Sequence, residues 1–229
     1  VQGGIILFEF DDPTMPAGLT ALTDSGYAID FTTNTGYATL YGQTSQDPGF
    51  ARLVTSNAYS GDFIALTVAR RYALPEPAVL GLAVYFDWPP LAGSPFASIG
   101  LSGLGRIESW AYDEQLDGNW SYIFPYKAWF LIERQGKQVT TKIGYGDEFP
   151  GLANFITVLQ SEQDAFGQPA RFGLFLGQGT GYSSGDFDIL AVLTADEPPD
   201  KIPEPSTMSL LALGLFVLGK IPRRGSAGH

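Results

Sequence analysis

Three observations on this chain predict an all-β fold, an antiparallel sandwich of two sheets. Glycine and proline are frequent, at 28 and 16 residues, and they punctuate short runs rich in Val, Ile, Phe, Tyr, Thr and Leu. Within those runs the residues alternate at roughly period two, and helical periodicity is nearly absent. Turn signals recur about every eight to twelve residues across roughly a dozen runs, and a single open sheet of that size curls or splits into two layers.

The elements follow in order. GGIILFEF gives a first strand around Ile5 to Phe10, and GYAIDFTTNTGYATLYGQ gives two more, Tyr27 to Thr32 and Tyr37 to Tyr41, turning at Asn34, Thr35 and Gly36. ARLVTS, DFIALTVARRY and VLGLAVYFDW supply three further strands. The last two are long and largely apolar, as central strands covered on both faces should be. ASIGLSGLGRIESWAYD is more polar and broken by glycine. AWFLIERQGKQVTTKIGYG is the clearest hairpin, because Trp129 to Arg134 and Gln138 to Gly144 alternate around Gln135, Gly136 and Lys137. Arg171 to Gly177 and Asp186 to Thr194 close the domain, which occupies residues 1–195. A charged, proline-dense linker at 196–202 leads to a segment of different character at 203–229.

Composition removes several function classes. Of 229 residues none is cysteine, which excludes disulfides, thiolate nucleophiles and cysteine metal sites. The single histidine is the last residue, His229, so no histidine triad, metal centre or general base can sit in the folded body. Net charge is −11, and the body through Ile202 holds 10 basic and 23 acidic residues. Such a surface repels nucleic acid and anionic lipid.

The C-terminal segment reads PEPSTMSLLALGLFVLGKIPRR. Its apolar stretch, taken generously from Ser206 to Ile221, would span roughly 24 Å as a short hydrophobic helix, less than the ~30 Å hydrocarbon core of a bilayer. Lys220, Arg223 and Arg224 follow as a basic stop that holds the end in the cytoplasm with the acidic body across the membrane. In order and spacing, Pro203-Glu204-Pro205, the apolar run and the pair Arg223 and Arg224 resemble the PEP-CTERM sorting signal. The resemblance implies recognition by an exosortase, a membrane cysteine protease-transpeptidase of Gram-negative bacteria that make exopolysaccharide and biofilm. It implies an exported precursor held transiently in the inner membrane and then passed to the outer surface or the extracellular matrix.

The body resembles the concanavalin A-like lectin/glucanase sandwich, a jelly-roll architecture. The resemblance is carried by FEFDDPTMPAGLTAL at the start, by WFLIERQGKQVTTKIGYGDEF as a central hairpin, and by ARFGLFLGQGTGYSSGDFDILAVL as the closing strand pair. Hydrolases on this fold set carboxylates along one strand face in a Glu-x-Asp-x-x-Glu pattern, because period two aims them into one cleft. That pattern is missing, and no catalytic residue is assigned; a glycoside hydrolase alternative would have to use some of Glu108, Asp113 and Glu114. A structural calcium between the terminal strands is implied by the resemblance, with Asp11, Asp12, Asp186 and Asp188 as ligands if those strands pair. Trp110, Tyr112, Trp120 and Tyr122, in a polar stretch, are the candidate sugar-stacking residues. The expectation is a non-catalytic interaction or carbohydrate-binding module in exopolysaccharide, with a hydrolase or a purely structural matrix protein as alternatives.

Overall fold

The structure is a computed structural model that describes residues 4–44, 49–90, 94–103, 106–111, 114–118, 127–177 and 181–194. In chain order its strands are β1 (Gly4–Glu9), β2 (Leu19–Thr23), β3 (Tyr27–Asp30), β4 (Ala38–Thr44), β5 (Phe50–Thr55), β6 (Phe63–Ala73), β7 (Val79–Tyr85) and β8 (Phe96–Ser102). They continue as β9 (Ile107–Ala111), β10 (Glu114–Gly118), β11 (Lys127–Gln135), β12 (Gln138–Tyr145), β13 (Ile156–Glu162), β14 (Arg171–Gly177) and β15 (Gly181–Thr194). Two single 3₁₀ turns, Leu152–Asn154 and Asp164–Gly167, are the helical elements among the described residues. The linker at 196–202 and the segment at 203–229 lie outside them, so the structure bears on neither.

Every pairing is antiparallel, and the strands form two layers as predicted. The larger sheet runs β13-β12-β11-β6-β15-β4-β3, with β1 also on β15; the second runs β10-β9-β8-β7-β14-β5-β2. β15 is long enough to serve two neighbours on one edge. Its Gly181–Phe187 half pairs with β4 and its Ile189–Thr194 half with β1, while β6 follows it on the other side. The central hairpin forms with Arg134 opposite Val139 and Gln135 opposite Gln138, and Gly136 takes the positive φ of 60° that the tight turn needs. β7 is buried along its whole length, as its unbroken apolar run requires of a strand covered on both faces.

Three strands have no counterpart in the sequence reading, β2, β10 and β13. All are sheet edges, where one side is unpaired and alternation is weakly enforced. In β13 the pairing also shifts, from Thr141 opposite Leu159 to Lys142 opposite Thr157, and this bulge breaks the period. β15 also begins at Gly181 rather than at Asp186: GYSSG has poor strand propensity, but its backbone pairs with β4.

The main core lies between the sheets. Inward residues of the larger sheet such as Phe63, Phe130, Ile132, Phe187 and Leu190 meet Leu53, Leu80, Leu82, Ile99 and Phe172 of the smaller one. A second apolar layer forms on the outer side of the larger sheet. There the segment after β12 folds back so that Phe149 meets Trp129 at 5.4 Å and 75°, with Phe155 packed against the same group. Trp129 is thus buried, with its indole N–H donating to the Gly146 carbonyl at 3.2 Å. Much of this outer face is therefore covered, and the corresponding face of the smaller sheet is the one that carries a distinctive side-chain set.

Candidate functional site

Period-two alternation sorts the smaller sheet into two faces. Leu80, Leu82 and Val84 on β7, and Phe172, Leu174 and Leu176 on β14, point into the main core. Their neighbours Val79, Ala83, Tyr85 and Phe175 therefore point outward, where they form a separate apolar group with Val54, Trp88 and Phe96. By the same alternation Phe50 and Arg52 on β5, Arg171 on β14, and Glu108 and Trp110 on β9 belong to this outer face.

The register arranges these residues in rows across the strands. One row runs Trp110, Ser98, Ala83, Gly173, Val54, Thr20, and the next runs Glu108, Gly100, Gly81, Phe175, Arg52, Leu22. Small residues fill the first row from Ser98 to Gly173 and the second at Gly100 and Gly81, where Phe175 stands next to them. At Gly81 and Gly100 a larger one does not fit: a Cβ on Gly100 would lie 2.6 Å from the Leu80 carbonyl oxygen, and one on Gly81 would collide with the backbone at Ile99 and Gly100. The close approach of β7 and β8 thus keeps a strip of small, buried residues in this face, flanked by larger side chains on both sides.

One end of the strip carries an aromatic and cationic cluster. Phe96, Tyr85 and Arg171 stand in one row, and the loop after β7 brings Trp88 over them. Tyr85 and Trp88 pack edge to face at 5.9 Å and 66°, and the Arg171 guanidinium lies 5.3 Å from the Trp88 ring centroid. Arg171 Nη1 donates to the Thr55 carbonyl at 2.9 Å and to that of Ser56, which fixes the guanidinium at the strand end. Arg52 lies 4.2 Å from the Phe50 ring centroid and close enough to the Tyr85 hydroxyl to act on its ionisation. Burial pushes the Tyr85 phenol up to about 12, and the Arg52 guanidinium pulls the other way. Arrangements of this kind, flat rings beside fixed polar groups on a small-residue floor, suit the apolar faces and hydroxyls of sugar rings.

Of the sequence-predicted aromatics, Trp110 is on this face and half-buried, opposite Ser98 on β8 and Gln115 on β10. Tyr112, Trp120 and Tyr122 lie outside the described residues, as does Asp113, and Glu108 shares the face of Trp110. The cluster of Arg52, Tyr85, Trp88 and Arg171 was not foreseen. Tyr85 and Trp88 sat in a run read as plain core, and only pairing of β7 with β14, some 90 residues later, brings Arg171 beside them.

The predicted calcium ligands occupy another corner. β1 and β15 do pair, with Glu9 opposite Ile189. Asp186 is fully buried, and its carboxylate accepts from the Thr39 hydroxyl at 2.6 Å and from the Asn34 amide at 3.0 and 3.2 Å. Asp11 and Asp12 are exposed, and Asp188 is the extra residue in a bulge between Phe187 and Ile189. Among the described residues no group of three or more acidic side chains converges as a metal site. Nor, among them, is any helix long and apolar enough to cross a membrane.

Comparisons with known proteins agree with both parts of the chain. Residues 201–224 match the family model described as the PEP-CTERM protein-sorting motif. No curated protein matches the chain in sequence. Among solved structures it is similar to the GH43 protein BlXynB from Bacillus licheniformis, with a TM-score of 0.61 and 10% identity over 82% of this chain; it spans only 39% of that protein's length. It is also similar to a lectin from Bauhinia forficata in complex with GalNAc, with a TM-score of 0.55 and 11% identity over 85% of this chain and 100% of the lectin. The exoplasmic/lumenal domain of VIP36 gives a TM-score of 0.54 and 10% identity over 87% of this chain and 91% of that one. At these identities the likeness establishes the fold. The chain joins a β-sandwich of the concanavalin A-like lectin and glycoside hydrolase architecture to a C-terminal PEP-CTERM sorting motif, the mark of an exported protein processed by exosortase.

Proposed function

We propose that this protein is a non-catalytic carbohydrate-binding module of the cell surface or extracellular matrix, delivered there by exosortase processing of its C-terminal motif. The observation that carries this reading is the outer face of the smaller sheet, where Tyr85, Trp88, Phe96 and Trp110 flank a floor of small residues with Arg52 and Arg171 beside them. Aromatic faces and fixed polar groups are what sugar recognition uses, and the sorting motif supports delivery to a place where polysaccharide is the abundant ligand. The similar structures include both a lectin complexed with a sugar and a GH43 protein, so turnover is the specific rival, with Glu108 on the same face as its acid.

A glycan array run beside a reducing-sugar assay separates the two. Binding without turnover supports the module, and released reducing ends support a hydrolase. Neither binding nor turnover supports a structural matrix protein. Deleting Pro203 to Arg224 tests the delivery half: surface display should be abolished, and unaltered display would overturn it. A structural calcium held by Asp11, Asp12, Asp186 and Asp188 is a separate proposal, supported by the pairing of β1 with β15; it expects a lower Tm in EGTA, and an unchanged Tm removes it.

A further inference from the structure

The cations of this acidic protein are unevenly committed. Lys137 is paired with Asp164 at 2.7 Å, and Lys142 with Glu133 at 2.7 Å. Arg134 is buried, with its donors on the carbonyls of Gly61, Phe166 and Gln168, and Lys127 is buried against the Asp147 carbonyl. Arg70 stands opposite Asp186 in the larger sheet. Arg52 and Arg171 lie on adjacent strands of one face of the smaller sheet; both are half-buried, and neither has a carboxylate within ion-pair distance among the described residues. Their contacts are rings, carbonyl oxygens and a phenol.

A cation partly withdrawn from water without a counter-charge costs free energy, and it costs more where burial lowers the local dielectric. With 24 carboxylates in the chain, counter-charges are plentiful, yet none of the described ones lies within ion-pair distance of Arg52 or Arg171: Asp87 accepts from the Trp88 N–H at 2.8 Å and Asp24 from the Phe50 N–H at 2.9 Å instead. The guanidiniums are also pre-positioned. Among the described residues Arg171 is pinned through Nη1 alone, which leaves its Nη2 and Nε donors for another acceptor, and the Arg52 guanidinium lies 4.2 Å from the Phe50 ring centroid. A planar guanidinium held by a ring is suited to bidentate capture of a carboxylate or sulfate. Four strand spacings away, about 19 Å on ordinary strand separation, Glu108 marks the other side of the strip and makes the face electrically polar.

We infer that the face takes an acidic polysaccharide, whose carboxylate or sulfate groups are held by Arg52 and Arg171 while its rings lie against Trp88. This rests on the carbohydrate-binding reading and names the class of glycan. The body's overall negative charge makes the inference discriminating, because general electrostatics would repel such a polymer and only a local cationic site can retain it.

The test is affinity electrophoresis of the full chain, kept soluble in a mild detergent, through gels containing polygalacturonate, dextran sulfate, or neutral dextran, galactan and mannan. Retardation is expected in one or both acidic gels, with the better of the two identifying carboxylate or sulfate, and it should weaken as salt is added. Arg52→Gln and Arg171→Gln should each weaken it about tenfold or more, the scale of one charge-assisted hydrogen-bond set. Lys137→Gln, whose exposed cation lies on the other sheet, should leave it unchanged. If Arg171→Gln lowers Tm through loss of its carbonyl contacts, Arg52→Gln decides alone, because Arg52 bonds no backbone carbonyl among the described residues. Retardation by neutral gels that ignores both arginines overturns the acidic ligand and leaves the carbohydrate reading standing. No retardation in any gel overturns both.

Discussion

Ser109 on β9 and Thr141 on β12 join the two sheets through hydroxyl oxygens 2.6 Å apart, both side chains fully buried. The Ser109 hydroxyl donates to the Ser98 carbonyl at 3.0 Å, so its one proton is committed and Thr141 is the donor across the core. Ser109→Ala strands a buried hydroxyl and should lower stability by about 1–3 kcal/mol, whereas Thr141→Val leaves Ser109 its carbonyl and should cost about 1 kcal/mol. The double variant should lose less than the sum, because the second change removes the group stranded by the first. Urea unfolding of the three variants measures this; strict additivity would show that the hydroxyls do not interact.

Arg134 ties two separate loops to one strand. Its guanidinium donates to Phe166 at 2.8 Å, Gln168 at 2.6 Å and Gly61, and lies 4.7 Å from the Phe63 ring and 5.8 Å from that of Phe86. Burial lowers its pKa to about 10, with Asp62 opposing, and its Nε has no partner. The cation therefore stays charged at neutral pH in a site held together by carbonyl oxygens. Arg134→Met should cost about 3 kcal/mol or more by orphaning those carbonyls, and Arg134→Lys should recover only part of it, since one ammonium cannot span the three positions. Thermal melts of both variants decide the point; equal losses would show that geometry is unimportant there.

Alkaline stability should depend on Tyr85. Its folded pKa, about 12, lies above the ordinary value of 10.0, so between those limits the folded state keeps a proton that the unfolded state has lost. The contribution is complete below pH 10 and disappears as pH rises through 12. Absorbance titration at the phenolate band should show one late tyrosine, missing in Tyr85→Phe, and that variant should lose less stability than the parent over this window.

Acid stability should depend on Asp30, where the sign reverses. The hydroxyl of Thr33, then the hydroxyl and N–H of Thr32, donate to its carboxylate and hold its pKa near 2 against an ordinary 3.8. The stabilising contribution is present above pH 3.8 and is lost as pH falls through 2. The site is exposed, so the effect is small. Asp30→Asn should be slightly less stable than the parent at pH 6 and converge with it near pH 2, as paired melts can show.

Strong periodic elements were legible in the amino-acid order. The β11–β12 hairpin and the apolar β7 match the structure because their local pattern and their tertiary environment demand the same residues. β2, β10, β13 and the first half of β15 were not legible, since an edge strand tolerates weak alternation and GYSSG becomes a strand only through its pairing with β4. Of the candidate site, Trp110 was anticipated from its polar surroundings. Arg52, Tyr85 and Arg171 were not, because nothing local marks an outward residue in a strand whose two faces are both apolar.

By itself the sequence determined the fold class, the absence of cysteine and of histidine before the last residue, and the sorting motif at 201–224. Each is a local or compositional property: period-two alternation, a residue inventory, a linear signal read in order. Only the tertiary structure decided that Arg52, Tyr85 and Arg171 share a face and that their cations lack carboxylates among the described residues. Strand order in a sandwich is set by long-range pairing, and β5, β7 and β14 become neighbours across more than a hundred residues of chain.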